Sequence, residues 1–306
     1  MTIHFLQNKD IDKPRWDSTI RNSANGLIYA WSIYLDSVCP GWSALVNDDY
    51  SLVMPLTNKK KYGISYLYQP PFCQQLGVFG TAKITENIVD AFITECTKHF
   101  SFGEIFLNSK NVFSIPSGLA SCKNYTLELN KEYALLRRQY TASLVKKSLE
   151  RIEKFNLQYS ATNNVAEAVN LSRQLYAERI PHVTDTDYSS FLALANQLYI
   201  DGHALVREVS MPGTGELLAS GLFLKDEKRI YNIISATVPN GRTYEANHFL
   251  FDKLIEEFAG TGLVLDFEGS DIAGIEHFYK KFGATDEGYY FLKWNELPWP
   301  ARLLKK

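Results

Sequence analysis

The sequence predicts a mixed α/β protein built as two copies of one domain, each a mixed, mostly antiparallel sheet flanked by helices. Three observations carry this. At 306 residues the chain is longer than one ordinary domain requires. With 45% hydrophobic and 13% aromatic residues it can fill more than one core. Above all, the order of its hydrophobic patterns occurs twice. Ala44 corresponds to Ala204, Thr85 to Thr243 and Ile105 to Val264, at offsets of 160, 158 and 159 residues.

In the first copy, IDKPRWDSTIRNS and GLIYAWSIYLDSV read as helices. From Trp42, three alternating apolar runs separated by turn residues at Asn47 to Asp49 and by a Lys-rich turn read as antiparallel strands. TENIVDAFITECTKHF then sets Val89, Phe92, Ile93, Cys96 and Phe100 on one helix face, and GEIFLNS is a strand. After the strand YTLELN, the segment 133–155 is expected to be one long linking helix, apolar at Leu144, Val145, Leu149 and Ile152 and basic on the other face. Two helices, AEAVNLSRQLYAERI and YSSFLALANQLYI, open the second copy. Three strands from His203 follow, then the helix TYEANHFLFDKLIEEF and the strand GLVLDFEGS. The domains are expected at 1–125 and 126–306, the linking helix counted with the second.

Bulk properties exclude several classes. A net charge of -2 and a pI near 6.3 provide no global attraction to nucleic acid or anionic lipid. Four cysteines without CxxC spacing and six histidines without i, i+4 or HxH pairing point away from a metal site. GxSxG and P-loop motifs are absent from the sequence. The N-terminus has no basic start and apolar run, and no stretch approaches about 18 apolar residues, so a cytoplasmic protein without a membrane partner is expected.

The order of elements and the ending HFYKKFGA, from His277 to Ala284, resemble the GNAT acyltransferase fold. Tandem copies in which LDFEGSD leads into FYKKFGA resemble more specifically the FemABX-like branch of aminoacyltransferases and acetyltransferase-like proteins. The resemblance implies transfer of an acetyl, acyl or aminoacyl group from an activated carrier, acyl-CoA or aminoacyl-tRNA, to the amine of a small molecule or peptide, in a cleft between the copies. It also implies that Tyr279 protonates the leaving group. Yet Ile272, Ile275, Tyr279 and Phe282 are spaced as an inward helix stripe as well, and both readings stand. Asp266 and Glu268 alternate at the end of a strand, so period 2 sets both carboxylates on one face, where they hold or deprotonate an amine or else brace the turn.

For the carrier, the loop SATVPNGRTYEANHF departs from the two-glycine pattern of acetyl-CoA enzymes. Gly241, Arg242, Thr243 as helix cap, and Asn247 are the expected carrier-binding residues, acetyl-CoA or another acyl-CoA being the candidate ligand. Trp31, Tyr34, Tyr68 and Gln69 of the first copy and Ser270 of the second are candidate substrate contacts, against the reading of the aromatics as core. The basic face of the linking helix is a solvated face or a contact for tRNA. The missing glycine also admits a different class, a binding or scaffold protein that kept the fold and lost catalysis.

Overall fold

A computed structural model describes residues 1–114, 119–269, 272–299 and 302. The chain divides into two compact units, one formed by Met1–Cys122 with Gly288–Lys306 and the other by Lys123–Glu287. Residues 288–306, expected in the second domain, thus go with the first. The reason is a strand, Tyr289–Asn295, that pairs with Phe102–Leu107 on one side and Leu119–Cys122 on the other. Pairing across so long a separation leaves no local signal.

The first unit holds two sheets. Ile3–Leu6, Ser43–Asn47, Leu52–Leu56 and Phe79–Gly80 form an antiparallel four-stranded sheet. Asn58–Lys61, Ile64–Leu67, Phe102–Leu107, Tyr289–Asn295 and Leu119–Cys122 form a five-stranded one. The helix Glu86–His99 buries Val89, Phe92, Ile93 and Cys96, the stripe its 3-4 spacing predicts, against Leu45, Met54, Ile105 and Leu292.

In the second unit, seven strands run in the order Gln158–Thr162, Ala204–Ser210, Leu217–Lys225, Arg229–Thr237, Val264–Asp266, Tyr125–Glu128, Thr285–Asp286. All neighbours are antiparallel except Arg229–Thr237 and Val264–Asp266, which the helix Ala246–Phe258 connects as a parallel pair. Its apolar face buries Leu250, Phe251, Leu254 and Ile255 with Phe223, Leu265, Phe267 and Phe282.

The segment 133–155 is broken, not a single helix: Tyr133–Arg137 ends, and a second helical run containing the π turn Leu144–Leu149 starts afresh. Tyr140 turns inward to stack edge-on against Phe282, and the Thr141 amide donates to the Lys281 carbonyl at 2.9 Å. The Thr141 hydroxyl then accepts from the Leu144 amide, capping the new run. Tertiary bonds to the 281–283 turn outcompete continuation of the helix.

Candidate active site

Two local irregularities open a cavity in the second unit. Parallel pairing of Arg229–Thr237 with Val264–Asp266 covers only three residues, from Arg229 opposite Val264 to Tyr231 opposite Asp266. Immediately beyond, the Arg229–Thr237 strand bulges at Ile233, since Leu222 pairs with Ile234 and Phe223 with Asn232. A bulge bends its strand. The strands separate past Tyr231 and Asp266, and at their carboxyl ends lies a cavity of about 720 Å³. It is lined by Asn232 and Ser235 of one strand, Phe267 and Glu268 beyond the other, the first turn of Ala246–Phe258, the helix Ala273–Lys280 and Tyr176 to Ile180.

Glu268 enters this cavity through a strained turn. Its φ of 59° is left-handed, an uncommon conformation for a residue with a side chain, so the pleat that ran through Asp266 stops and the two carboxylates part. Asp266 is sealed in the structure instead. Its Oδ1 accepts the Glu268 amide and the Asn124 side-chain amide, both at 3.0 Å, and its Oδ2 accepts from Arg229 at 3.0 Å. Arg229 is held in turn by Glu287 through two bonds of 2.7 and 3.0 Å. Gly269 completes the turn: its amide donates to Asn124 at 2.6 Å, and a Cβ there would sit 1.9 Å from the Lys123 carbonyl oxygen. Asp266 is therefore absent from the cavity lining and fixes the turn that carries Glu268. The expectation of two carboxylates on one face is corrected by one backbone angle.

The Glu268 carboxyl has no such support. The residue as a whole is half-buried, but its Oε1 is closed off from solvent and has no hydrogen-bond partner among the described residues. Burial pushes its pKa well above the usual carboxyl range. Tyr279, 8% exposed, lies against Phe267 with ring centroids 4.7 Å apart. Burial first and the neighbouring Glu268 second push its phenol well above the ordinary tyrosine value, while the Asn232 amide draws it back. Asn232 donates to the Phe267 carbonyl at 3.4 Å, and its own Oδ1 is buried without a partner among the described residues.

Where the sequence pattern set Thr243 as a helix cap, the structure has a short helix, Pro239–Thr243, then Tyr244 and a left-handed Glu245 before Ala246–Phe258 begins. Thr243 is exposed, and its carbonyl accepts from Arg151. Gly241 is buried, and a Cβ would approach the Leu218 carbonyl oxygen to 2.0 Å, so this glycine serves packing of the short helix on the sheet. Arg242 and Asn247 do line the cavity. Beside them Glu245 sets a carboxylate at the helix N-terminus, 3.4 Å from His248 Nδ1 and 3.5 Å from Arg151. Burial and then Lys281 depress His248 to about 4, which keeps the imidazole neutral.

Of the residues spaced as an inward stripe, Ile272 and Ile275 are 65% and 37% exposed and line the cavity, while Tyr279 and Phe282 are buried. Trp31 and Tyr34 are buried in the first unit, where the Tyr34 hydroxyl donates to the Phe72 carbonyl. Gln69 spans the Cys73 carbonyl and the Phe106 amide there, and Lys59 lies over the Tyr68 ring. These contacts are those of core packing and loop bracing. Ser270 lies outside the described residues, as does Asp271. The pattern missed Asn232, Glu245, His248 and Arg179. Asn232 left one signal, a lone amide inside the apolar strand RIYNIISAT.

Among the described residues, no group of three or more His, Cys, Asp and Glu could hold a metal ion, and no helix is long and apolar enough to cross a membrane. No family model and no curated protein matches the sequence. Solved structures do match. FemX superposes with a TM-score of 0.67 at 13% identity over 100% of both chains. A conserved protein of unknown function from Bacteroides thetaiotaomicron gives 0.60 at 10% identity, covering 95% of this chain and 99% of that one. A tandem GNAT protein from the clavulanic acid biosynthesis pathway gives 0.54 at 11%, covering 97% and 99%. With two compact units, mixed sheets flanked by helices and this likeness end to end, the chain has a tandem GNAT-like fold.

Proposed function

We propose that the chain is an acyltransferase that moves an acyl or aminoacyl group from an activated ester to an amine bound in the second unit. The observation that carries this is Glu268, a carboxyl group held in a strained turn with an unpartnered buried oxygen in the cavity wall beside Tyr279. A carboxyl of raised pKa is a better proton acceptor from an amine than an ordinary one, because its basicity lies closer to that of the nitrogen. In the reaction an ammonium gives one proton to the Glu268 carboxylate, and the freed nitrogen attacks the acyl carbon. The N–C bond forms and the C–O bond to the carrier breaks. Tyr279 gives its hydroxyl proton to the leaving oxygen and regains one from the nitrogen.

Three features favour an ester carrier over acyl-CoA. Glu245 brings negative charge to the helix N-terminus where a pyrophosphate would dock, and Gly241 is committed to packing. A phenol of raised pKa is also a poor match for a thiolate leaving group, whose acid has a pKa of about 8.5, and a better one for an alkoxide. Aminoacyl-tRNA is an ester of this kind. Parallel assays with acyl-CoA and aminoacyl-tRNA donors test the reading. Transfer should occur with the ester, and Glu268→Gln and Tyr279→Phe should each lower kcat about 100-fold or more with the fold intact. Turnover unchanged in Glu268→Gln overturns it, and a chain that binds amines but transfers nothing from any donor is the scaffold protein instead.

A further inference from the structure

The cavity wall carries more than the proton acceptor, and its composition specifies the amine. Asn232, which is 5% exposed, Asn247 and Glu268 each place a buried acceptor oxygen in this wall for which the described residues supply no donor. Unmade hydrogen bonds of this kind are costly, and three in one cavity call for a ligand group rich in N–H donors. A primary ammonium has three. On the same lining stand two cations, Arg179 and Arg242, both exposed and, among the described residues, neither paired with a carboxylate. The remaining lining is apolar, with Ile180, Ile233, Ile272, Ile275, Phe267 and Phe278. The volume of about 720 Å³ suits one small molecule.

Resting on the acyltransferase reading, we propose that the cavity is built for a free amino acid with an apolar side chain as acyl acceptor. Asn232, Asn247 and Glu268 take its ammonium, Arg179 or Arg242 takes its carboxylate, and the isoleucine and phenylalanine side chains take the remainder. Acylation then forms the amide at its α-nitrogen.

A thermal-shift and calorimetric panel on the full chain, run without any donor, tests this. Leucine and phenylalanine at millimolar concentration should raise the midpoint by several degrees, because a ligand bound only by the folded state shifts unfolding by mass action. N-acetyl-leucine, which lacks the ammonium, and leucinamide, which lacks the carboxylate, should each bind at least tenfold more weakly, and aspartate should not bind. Glu268→Gln should abolish the response to leucine, and the double variant Arg179→Ala, Arg242→Ala should erase the preference for leucine over leucinamide. Equal stabilisation by N-acetyl-leucine, or no response of the unaltered chain to any of these, overturns the proposal. Because the panel contains no donor, it reads the amino-acid site apart from the chemistry: leucine bound here but acylated by no donor in the parallel transfer assays sinks the acyltransferase reading and leaves the amino-acid site standing.

Discussion

Glu268 and His248 oppose each other in their effect on stability. An acid whose folded pKa lies above its unfolded value binds more protons folded than unfolded, so stability falls as pH rises from about 4.5, the ordinary glutamate value. Glu268→Gln removes that loss, and its melting temperature should exceed that of the unaltered protein at pH 8 but not at pH 4.5. His248 acts in the other direction. Its folded value of about 4 lies below the ordinary 6.5, the unfolded chain takes up the extra proton, and stability falls with acid between those values. The loss amounts to about 3 kcal/mol by pH 4. Melting curves from pH 4 to 8 should therefore flatten on the acid side in His248→Gln and on the alkaline side in Glu268→Gln, and unchanged slopes refute both assignments. The chemistry of these residues was partly legible: Glu268 and Tyr279 stood out as an acid and a phenol near a strand end. The burial of Tyr279 was legible in its spacing with Phe282, but that of the Glu268 oxygen was not, because nothing in a local pattern reports that a left-handed residue turns its side chain inward.

Among elements, the turn 266–269 decides the site, and its support comes from a distant residue. Asn124 accepts from the Gly269 amide and donates to Asp266. Asn124→Ala leaves both without that partner and should cost about 1–3 kcal/mol. It should also lower kcat in a protein that circular dichroism shows still folded, since the Glu268 carboxyl loses its fixed direction; unaltered kcat would contradict a positioning role. The helix Glu86–His99 followed from periodicity because it presents one apolar face, Val89, Phe92, Ile93 and Cys96, to one core, whereas the Lys-rich turn is corrected to a strand, Asn58–Lys61, whose exposed side chains carry no such period and whose pairing with Ile64–Leu67 defines it. The segment 133–155 misled for the opposite reason. Its helical pattern is real on both sides of Tyr140, and the interruption comes from bonds to the 281–283 turn, which no window of local sequence contains.

For the molecule as a whole, the key connection is the return of the chain to its first unit. Tyr289–Asn295 occupies an interior place in the five-stranded sheet, and Leu292, 3% exposed, belongs to the first core. Ending the chain after Glu287 should unfold the first unit, leaving two unpaired strand edges, while the second, continuous in sequence, melts near its usual temperature. Calorimetry of that truncated chain should lose one transition and keep the other, and two intact transitions would contradict the assignment. The same strand sets an order of events on the ribosome. Synthesis runs from the N-terminus, yet the unit made first has no complete sheet until Tyr289–Asn295 has emerged, whereas everything the second unit needs is out once Glu287 has cleared the exit tunnel. The part of the protein made first is therefore among the last to be completed, its strand edges at Phe102–Leu107 and Leu119–Cys122 unpaired until the residues after Glu287 arrive.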